Sequence, residues 1–416
     1  MGTSNRQSVI LGYDAVCPLG TRLPDAWEKA LTAQSGIGPL TRFPLDDNFP
    51  VRIAGQVESI DDLDYPFLKP RERAKWTSPI FKHAMLTVSR AIAQSGMEIT
   101  PEIAPRTAIT YSSALGGLDA ALDADRRLAT ENRLPKPFTN PNACINMVGG
   151  KVSILTGATG PITATISACA TGATSMIIGA MFIEQGLCDV AICGAVDFAL
   201  VPTIIAGFYT MNGTFYPKPG EDVSPQAASR PFSKNRRGFV VSEGAGAMIL
   251  AAREFAQSWG LKYQVALAGW GMTSDAHHVV APHLPTVTRC MELALGHAGI
   301  APEDISSINA HATATPVGDK VEYDALSAVF GNKIPPVTAN KSMIGHAMGA
   351  SSAIETIFAV QGMIDGQIPP TINYDPDPDM NFDCVTGDAR CLDQPYVLKN
   401  AFGFGGCNAC IVLQKC

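Results

Sequence analysis

Two residues whose side chains suit acyl-transfer chemistry begin the same short phrase. Cys169 begins Cys-Ala-Thr-Gly-Ala-Thr-Ser, and His346 begins His-Ala-Met-Gly-Ala-Ser-Ser. In register, the two runs share the pattern x-Ala-x-Gly-Ala-(Ser/Thr)-Ser, and each continues into an apolar stretch that ends in Gln-Gly, at 185–186 and 361–362. A unit that is repeated so far apart in the chain indicates two related halves.

Each run places its first residue where a loop turns into a helix. A helix N-terminus carries partial positive charge and free N–H groups. We therefore expect Cys169 to be biased toward its thiolate form, with nearby N–H groups able to bind an oxyanion. His346 would add a hydrogen-bond donor from the other half, which is a layout for acyl transfer. The alternative is that the runs are two buried helices that pack through small residues.

Three polar motifs lie at or near the ends of predicted strands: 309–315 (Asn-Ala-His-Ala-Thr-Ala-Thr), 340–346 (Asn-Lys-Ser-Met-Ile-Gly-His) and 400–408 (Asn-Ala-Phe-Gly-Phe-Gly-Gly-Cys-Asn). Open α/β sheets build their sites at the carboxyl ends of strands, so we expect the motifs to meet. Two histidines near a cysteine could also bind zinc. Cys407 and Cys410 have Cys-x-x-Cys spacing, but no second pair follows, and on a strand they would point to opposite faces. We expect no metal.

The bulk composition excludes several classes of protein. The 416 residues require two cores or one large duplicated fold. A net charge of −7 argues against a basic nucleic-acid-binding surface. Eleven scattered cysteines indicate reduced, cytosolic thiols, and the N-terminus has no signal-peptide pattern. The apolar run at 176–183 is too short and too broken by glycine to span a membrane.

Strand-like and helix-like stretches alternate along the chain, which predicts an α/β fold with mainly parallel sheets. Since no linker of flexible composition separates the halves, we expect one compact duplicated body. The predicted strands are 8–13, 106–112, 161–167, 189–193, 238–251, 263–269, 305–310, 336–340 and 396–402; the predicted helices are 24–34, 77–95, 286–298, 321–329 and one after His346; and 135–143 is predicted as a loop.

Together these motifs resemble those of the β-ketoacyl-acyl carrier protein (ACP) synthases. The nearest resemblance is to the elongating, synthase II-like Cys-His-His condensing enzymes of type II fatty-acid synthesis. It covers nearly the whole chain and is carried by Ser-Ala-Cys-Ala-Thr-Gly at 167–172, His-x-Thr-x-Thr at 311–315, Asn-Lys-Ser at 340–342, Gly-His at 345–346, Gly-Phe-Gly-Gly-x-Asn at 403–408, Pro-Leu-Gly at 18–20, Trp27, Ser-Gly-Ile at 35–37, Arg-Pro-Phe at 230–232, Gly-Phe at 238–239 and Glu-Gly-Ala-Gly at 243–246.

The resemblance implies the α/β thiolase fold, in which duplicated halves form a five-layer αβαβα sandwich. An N-terminal half, 1–255, would carry the nucleophile. A C-terminal half, 256–416, would carry the two histidines, the lysine and the Gly-rich gating loop. The family also implies a homodimer, located in the cytoplasm. It implies no cofactor of the enzyme's own, since its substrates carry phosphopantetheine on ACP.

The resemblance also implies a role for each site residue. Cys169 would accept the acyl chain from acyl-ACP as a thioester, and the N–H groups of Cys169 and Phe404 would form the oxyanion hole. His311 and His346, neutral and protonated on Nε2, would donate to the malonyl thioester carbonyl and stabilise the enolate left by decarboxylation. The supporting and substrate-binding residues would be Lys341 (paired with Glu355 or Glu322), Thr313 and Thr315 (on the pantetheine), Phe404 (the gate of the acyl pocket), and Leu115, with Phe208 next (on the pocket wall).

Several positions depart from the family pattern. The usual His-Gly-Thr-Gly-Thr is His-Ala-Thr-Ala-Thr here, which would add methyl groups beside the pantetheine. Cys407 replaces the usual Thr, and Ser-Lys-Asn-Arg-Arg at 233–237 and the 208–215 segment also differ. These departures keep open a specialised polyketide or unusual-lipid ketosynthase with the same chemistry.

Two other interpretations are weaker. A biosynthetic thiolase would use a second catalytic cysteine, and a catalytically silent partner subunit would lack the nucleophile. The expected partners are ACP and acyl and malonyl thioesters, with no nucleic acid and no membrane insertion. An acidic carrier needs a basic docking patch, and two clusters are candidates: Lys69, Arg71, Arg73 and Lys75, or Arg126, Arg127 and Arg133.

Overall fold

The computed structural model describes residues 6–218 and 220–416. The expected absence of a leader concerns the first residues of the chain, of which 1–5 lie outside the described part. Nine strands form one sheet in the order β4-β5-β6-β1-β7-β13-β12-β8-β9, with labels and bounds given in the next paragraph. Two short hairpin pairs, β2-β3 and β10-β11, lie apart from it.

The elements follow one another along the chain as strands, α-helices and short 3-10 turns. The strands are β1 (Ser8–Val16), β2 (Ile37–Pro39), β3 (Ile53–Gly55), β4 (Thr107–Ile109), β5 (Val190–Phe198), β6 (Glu243–Ala252), β7 (Val265–Ser274), β8 (Ser307–Asn309), β9 (Val337–Thr338), β10 (Gln367–Ile368), β11 (Arg390–Cys391), β12 (Tyr396–Gly403) and β13 (Cys407–Lys415). The helices are α1 (Leu23–Leu31), α2 (Pro70–Lys75), α3 (Pro79–Ser95), α4 (Leu118–Glu131), α5 (Thr139–Ala143), α6 (Asn146–Thr156), α7 (Thr171–Glu184), α8 (Pro202–Thr210), α9 (Arg253–Ser258), α10 (Leu284–Ala298), α11 (Pro316–Phe330), α12 (Lys341–Ile344) and α13 (Met348–Asp365). The 3-10 turns are Pro66–Leu68, Ala104–Arg106, Ala168–Ala170, Pro225–Ala227 and Pro302–Asp304.

The helices divide into an inner and two outer layers. Helices α7 and α13 pack against each other and against strands of both halves of the sheet, and their apolar side chains form the central core. Helix α3 covers the outer face of β1, β5 and β6. Helix α10, with α11 against it, covers β7 and β13. The two halves of the continuous sheet lie on either side of α7 and α13. The layers therefore run helix, half-sheet, helix, half-sheet, helix, which is the predicted five-layer sandwich.

The expectation of mainly parallel sheets is wrong. Of the eight neighbouring pairs in the nine-stranded sheet, five are antiparallel (β5-β6, β6-β1, β1-β7, β7-β13, β13-β12) and three are parallel (β4-β5, β12-β8, β8-β9). Strands β5 and β6 are buried on both faces, so they form continuous apolar runs whichever way they pair. The apolar pattern therefore carried no information on strand direction.

Most of the predicted elements are present, with shifted ends, but two segments differ. The predicted strand 161–167 makes only an isolated bridge, between Ile109 and Ile162, and has no other regular secondary structure. The predicted loop 135–143 contains α5. Within the described residues, no helix combines the length and the apolar character needed to cross a membrane.

Small residues bring the inner helices into close contact. A Cβ atom added to Gly172, in the first turn of α7, would lie 2.5 Å from the backbone nitrogen of Ala353 on α13. The Ala173 N–H donates to the Ser352 hydroxyl across the same contact, at 3.1 Å. The repeated phrase thus forms a packing face as well as two helix starts, so the two interpretations of it hold together.

This contact predicts opposite effects for two helical glycines. Gly172→Ala should lower the free energy of unfolding by about 1–3 kcal/mol, because the methyl group overlaps the α13 backbone. Gly150→Ala, in α6, is the matched control: its Cβ would meet nothing within 4 Å, so the change should raise stability by about 0.5–1 kcal/mol through helix propensity. Thermal melting of both variants checks this, and equal shifts would contradict the close contact.

Candidate active site

The nucleophile candidate lies on a tight turn that the sequence builds from small residues. Cys169 is the middle residue of the 3-10 turn Ala168–Ala170, immediately before α7. Ala168 has a left-handed backbone, with φ +49°. The end of β12 lies against this turn: a Cβ on Gly403 would lie 2.4 Å from the Ser167 carbonyl oxygen. Glycine at 403 is therefore what allows the end of β12 to reach the turn that carries Cys169.

Cys169 and His346 are in direct contact. The Cys169 Sγ lies 3.0 Å from the His346 Nε2, and both residues are buried. The His346 Nδ1 lies 2.9 Å from the Ser351 hydroxyl oxygen, which also accepts from the Ala347 N–H at 2.7 Å. A hydroxyl can donate to a bare ring nitrogen or accept from a protonated one. Ser351 therefore holds the ring in either tautomer, a role that the sequence analysis missed.

The expected bias of Cys169 toward the thiolate is wrong for the resting protein. Burial raises the pKa of the thiol to about 12, against the opposing effects of the Lys341 charge and of the backbone amides of Phe404 and Cys169 itself. The helix start and nearby charge do favour the thiolate, but the loss of solvation outweighs them. Cys169 is thus a protonated thiol that needs a proton acceptor, and the His346 Nε2 is placed to be one.

The second histidine faces the first across the site. His311 follows β8, and the centroids of the His311 and His346 rings are 5.8 Å apart, nearly perpendicular. Burial, followed by the charge of Lys341, holds the pKa of each imidazole well below its ordinary value. Both rings are therefore neutral near pH 7, as the sequence analysis expected.

Of the two carboxylates proposed as partners of Lys341, Glu355 pairs with it. The Lys341 Nζ donates to the Glu355 Oε1 and to the His311 carbonyl oxygen, each at 2.6 Å. Glu322 instead accepts from the N–H groups of His311 (2.8 Å) and Ala312 (2.7 Å) and from the Asn400 side chain. Lys341 and Glu322 therefore fix the two sides of the turn that carries His311.

Lys399, which the sequence analysis did not single out, shares the buried Glu355 carboxylate with Lys341. Its Nζ donates to the Glu355 Oε2 at 2.8 Å and to the Asn400 carbonyl oxygen at 2.7 Å, and the side chain is fully buried. The available signal was a lysine inside the apolar strand that leads into the Gly-Phe-Gly-Gly loop. A lysine in a buried strand requires a buried partner.

A cavity of about 470 Å³ opens onto the two histidines and the cysteine. The predicted site residues on its wall are Cys169, His311, His346, Thr313, Thr315 and Phe404. The hydroxyl oxygens of Thr313 and Thr315 are 3.0 Å apart on one side of it. The structure therefore brings the predicted nucleophile, donors, pantetheine threonines and gate to one space.

Leu115 and Phe208 lie outside this cavity. They belong to an apolar cluster with Phe404, Met348 and Phe239. The Phe208 and Phe239 ring centroids are 5.3 Å apart, and Phe239 also contacts the His346 ring, at 5.2 Å. We call this group the gate cluster; Phe404 belongs to both it and the cavity wall.

The alanines that replace the family's glycines lie beside the cavity, in the turn after His311. Ala312 and Ala314 have left-handed backbones, with φ of +28° and +67°. Both are buried and neither lines the cavity, whereas Thr313 and Thr315 do. The added methyl groups beside the pantetheine therefore stay a prediction. Cys407 is partly exposed and Cys410 is buried. Among residues 6–218 and 220–416, no group of His, Cys, Asp and Glu side chains is arranged to hold a metal ion.

Comparisons with known proteins agree with this geometry. The family model "Beta-ketoacyl synthase, N-terminal domain" matches residues 6–256, and "Beta-ketoacyl synthase, C-terminal domain" matches residues 265–375. Two proteins named 3-oxoacyl-[acyl-carrier-protein] synthase 2, from Coxiella burnetii and Vibrio harveyi, are 35% and 34% identical to the chain, with 99% of both chains covered in each case.

Solved structures match over nearly the whole chain as well. A β-ketoacyl synthase from Burkholderia phymatum has a TM-score of 0.90 at 26% identity, covering 99% of this chain and all of that one. A type II polyketide ketosynthase, solved with its acyl-carrier protein and bound to a hexaketide, has a TM-score of 0.88 at 26% identity, with the same coverage. The chain has the thiolase fold of these ketosynthases and belongs to the β-ketoacyl synthase family.

Proposed function

We propose that the protein condenses an acyl thioester from acyl-ACP with malonyl-ACP, giving β-ketoacyl-ACP, CO2 and free ACP. The observation that carries this proposal is the 3.0 Å contact between the Cys169 Sγ and the His346 Nε2, with the neutral His311 ring beside it on one cavity. The family and the names of the full-length relatives support the same acyltransferase chemistry.

The first half-reaction transfers the acyl group to the protein. The Cys169 thiol gives its proton to the His346 Nε2, and the sulfur attacks the thioester carbonyl of acyl-ACP. The backbone N–H groups of Cys169 and Phe404 both donate toward the Cys169 sulfur. They are therefore suited to stabilise the oxyanion that forms beside it. As the tetrahedral intermediate collapses, the bond to the carrier sulfur breaks. The carrier thiolate takes the proton from His346 and leaves as a free thiol.

The second half-reaction makes the carbon–carbon bond. Before the second condensation partner reacts, the neutral His346 ring shifts its proton from Nδ1 to Nε2, and Nδ1 then accepts from the Ser351 hydroxyl. Malonyl-ACP loses CO2, and the electron pair of the broken bond forms an enolate whose oxygen accepts hydrogen bonds from the Nε2–H groups of His311 and His346. The enolate carbon attacks the acyl-Cys169 carbonyl, and the carbon–sulfur bond breaks. The negative charge of the malonyl carboxylate thus ends on the Cys169 sulfur, which takes up one proton from water to become the free thiol again. Phosphopantetheine reaches the histidines past Thr313 and Thr315.

Removal of each reacting group should separate the half-reactions. His311→Ala and His346→Ala should lower malonyl-ACP decarboxylation by about 10²–10³-fold, because each removes a donor to the enolate. His311→Ala should reduce acyl transfer less, whereas His346→Ala should slow acyl transfer as well, because it removes the proton acceptor of Cys169. Cys169→Ala should abolish the acyl adduct detected by intact mass. His297→Ala, on α10 against Trp270, is the control and should behave as wild type. Decarboxylation at the wild-type rate in a histidine variant, or an adduct that persists without Cys169, would contradict the assignments.

The two basic clusters proposed for carrier docking meet at one place. Lys75 of the first cluster and Arg127 and Arg133 of the second line a surface cavity of about 140 Å³, together with Lys136. Lys75 and Arg127 are ion-paired, with Glu72 and Asp123. Arg133 and Lys136 are exposed and have no ion-pair partner among the described residues. We infer that this joint surface attracts the acidic carrier.

Charge reversal tests this docking surface. The double variant Arg133→Glu and Lys136→Glu should raise the KM for acyl-ACP and malonyl-ACP at low salt and leave kcat nearly unchanged, because docking contributes to encounter more than to chemistry. The effect should shrink with added salt. Arg289→Glu, an exposed position on α10, is the control. Equal KM values for the double variant, the control and wild type would place the docking surface elsewhere.

The gate cluster is the proposed place for the acyl chain. Phe404 is followed by Gly405 and Gly406, both with positive φ, and the Gly405 N–H donates to the Val279 carbonyl oxygen at 2.7 Å. Movement of Phe404 on these glycines would open the cluster from the Cys169 side. Leu115 would then lie on the pocket wall, held by its N–H donation to the Asp197 carboxylate at 3.0 Å.

A series of acyl-ACP lengths tests the role of Leu115. Leu115→Phe should lower kcat/KM for long chains and spare short ones, because a bulkier wall removes room for methylenes that each contribute about 0.8 kcal/mol. Leu115→Ala should do the reverse, with some loss of stability. Leu187→Phe, an exposed position outside the cluster, is the control. Length profiles of one shape for all four proteins would show that Leu115 does not line the pocket.

We also propose a homodimer formed along one edge of the sheet. The segment 161–167 bridges to β4 at that edge, and its Ile162 and Ile166 expose 51% and 48% of their surface, as Ile154 on the neighbouring α6 exposes 74%. An edge with apolar side chains is suited to pair with a second copy. Sedimentation should give about twice the chain mass of 43.9 kDa, and Ile162→Arg should shift it toward monomer while Leu187→Arg does not. A monomeric wild type would contradict this.

A second candidate is a specialised polyketide or unusual-lipid ketosynthase. The observation that favours it is the close structural match to the type II polyketide ketosynthase described above. Product masses from repeated condensation, with and without reduction between rounds, separate this from fatty-acid elongation.

The intact Cys169–His346 pair argues against a silent subunit. The free state of all eleven cysteines supports a place in the reducing cytoplasm.

A further inference from the structure

Two buried lysines share one carboxylate behind the histidines. Glu355 accepts from Lys341 on one oxygen, at 2.6 Å, and from Lys399 on the other, at 2.8 Å. Lys341 is 1% exposed, and Lys399 and Glu355 are 0% exposed. A pair of opposite charges would satisfy Glu355 already, so the second lysine adds a positive charge that the ion pair does not require.

The two ammonium groups bind consecutive backbone carbonyls of the segment that carries His311. Lys341 donates to the His311 carbonyl oxygen at 2.6 Å, and Lys399 donates to the Ala310 carbonyl oxygen at 3.3 Å. Lys399 also donates to the Asn400 carbonyl oxygen, on the strand that leads to the gate. The His311 turn is thus connected to the gating strand through the Lys399 ammonium group.

The charged and titratable groups around the His311 and His346 rings determine the sign of the electrostatic potential at those rings. Lys341 and Lys399 are positive, and Glu355 lies between them. Glu322 lies on the far side of the His311 turn, where burial raises its pKa. On the other sides are the neutral Cys169, Asp197 behind Cys169, whose pKa burial raises to about 6, and Asp275 on the cavity wall, which accepts from Asn408. The side of the rings toward the lysines is therefore positive.

We propose that Lys399 is a positioning residue for the condensation: it fixes the His311 turn together with Lys341, and its charge keeps His311 and His346 in the neutral form that donates to the enolate. This proposal rests on the enolate-binding role proposed above for the two histidines. A proton added to either ring would meet the field of both ammonium groups, and the charge of Lys399 lowers the pKa of both imidazoles after the larger effects of burial and Lys341.

The sign of the pH effect follows from the charge. Removal of Lys399 removes one positive charge, so each imidazole accepts a proton at a higher pH. As the pH is lowered, the two imidazoles therefore begin to lose their neutral form at a higher pH than in the wild type. The acid limb of malonyl-ACP decarboxylation should therefore move to higher pH by about 1 unit, the usual effect of one nearby charge.

Two variants separate charge from hydrogen bonding. Lys399→Gln keeps an N–H donor for the carbonyl acceptors without the charge, and Lys399→Met removes both. Lys415→Gln, an exposed lysine on β13 paired with Asp393, is the control. We expect the acid limb to shift in both Lys399 variants and not in the control, with a larger loss of rate at the optimum in Lys399→Met. Acid limbs that superimpose on wild type, even with a lower plateau, would overturn the proposal.

A measurement on the wild-type protein covers the case in which the variants do not fold. With ¹³C-labelled histidine, the His311 and His346 signals are identified by their loss in the corresponding alanine variants. We expect neither signal to titrate between pH 8 and pH 5.5. Titration of either ring near its ordinary value would overturn the proposal. Full decarboxylation by His311→Ala and His346→Ala would instead refute the underlying role of the histidines, so the two failures are distinguishable.

Discussion

The contact between the first turns of α7 and α13 determines where the chemistry can take place. Gly172 lets the α7 backbone approach Ala353 on α13, and the two helix starts then present Cys169 and His346 to each other at 3.0 Å. The two halves of the sheet lie on either side of this helix pair, so each half of the duplicated fold contributes one member of the proposed reacting pair. A side chain larger than hydrogen at Gly172 would separate the halves at this point.

The second constraint is electrostatic. Burial of Cys169, His311 and His346 removes water that would compete for the proposed enolate, but it also raises the pKa of the thiol and lowers the pKa of the imidazoles. Neutral histidines are useful donors, whereas a neutral thiol is a poor nucleophile. The direct contact with His346 resolves this conflict, because the proton can leave Cys169 within the site. Glu355 allows two lysines to remain in the same dry region, since an unpaired buried ammonium would be very costly.

The sequence indicated the residues of the site better than the contacts between them. The repeated phrase predicted both helix starts, and the family motifs predicted the residues on the cavity wall. The choice of Glu355 over Glu322 depends on the phase of α13 against α11, which the motifs do not contain. The direction of β5 against β6 was hidden because both strands are apolar on both faces. The burial of Lys399, and the pKa of Cys169 that burial raises, are properties of the assembled core rather than of any local pattern.

A single-turnover experiment tests the central claim, that one acyl-Cys169 and one pair of histidines carry out the whole condensation. The enzyme is acylated with an isotopically labelled acyl-ACP, freed of excess substrate and mixed with malonyl-ACP alone. We predict that the label leaves Cys169 as the protein loses its adduct, and that it appears in one equivalent of β-ketoacyl-ACP for each CO2 released. Label that remains on the protein while CO2 forms, or that leaves as free acid, would contradict the account.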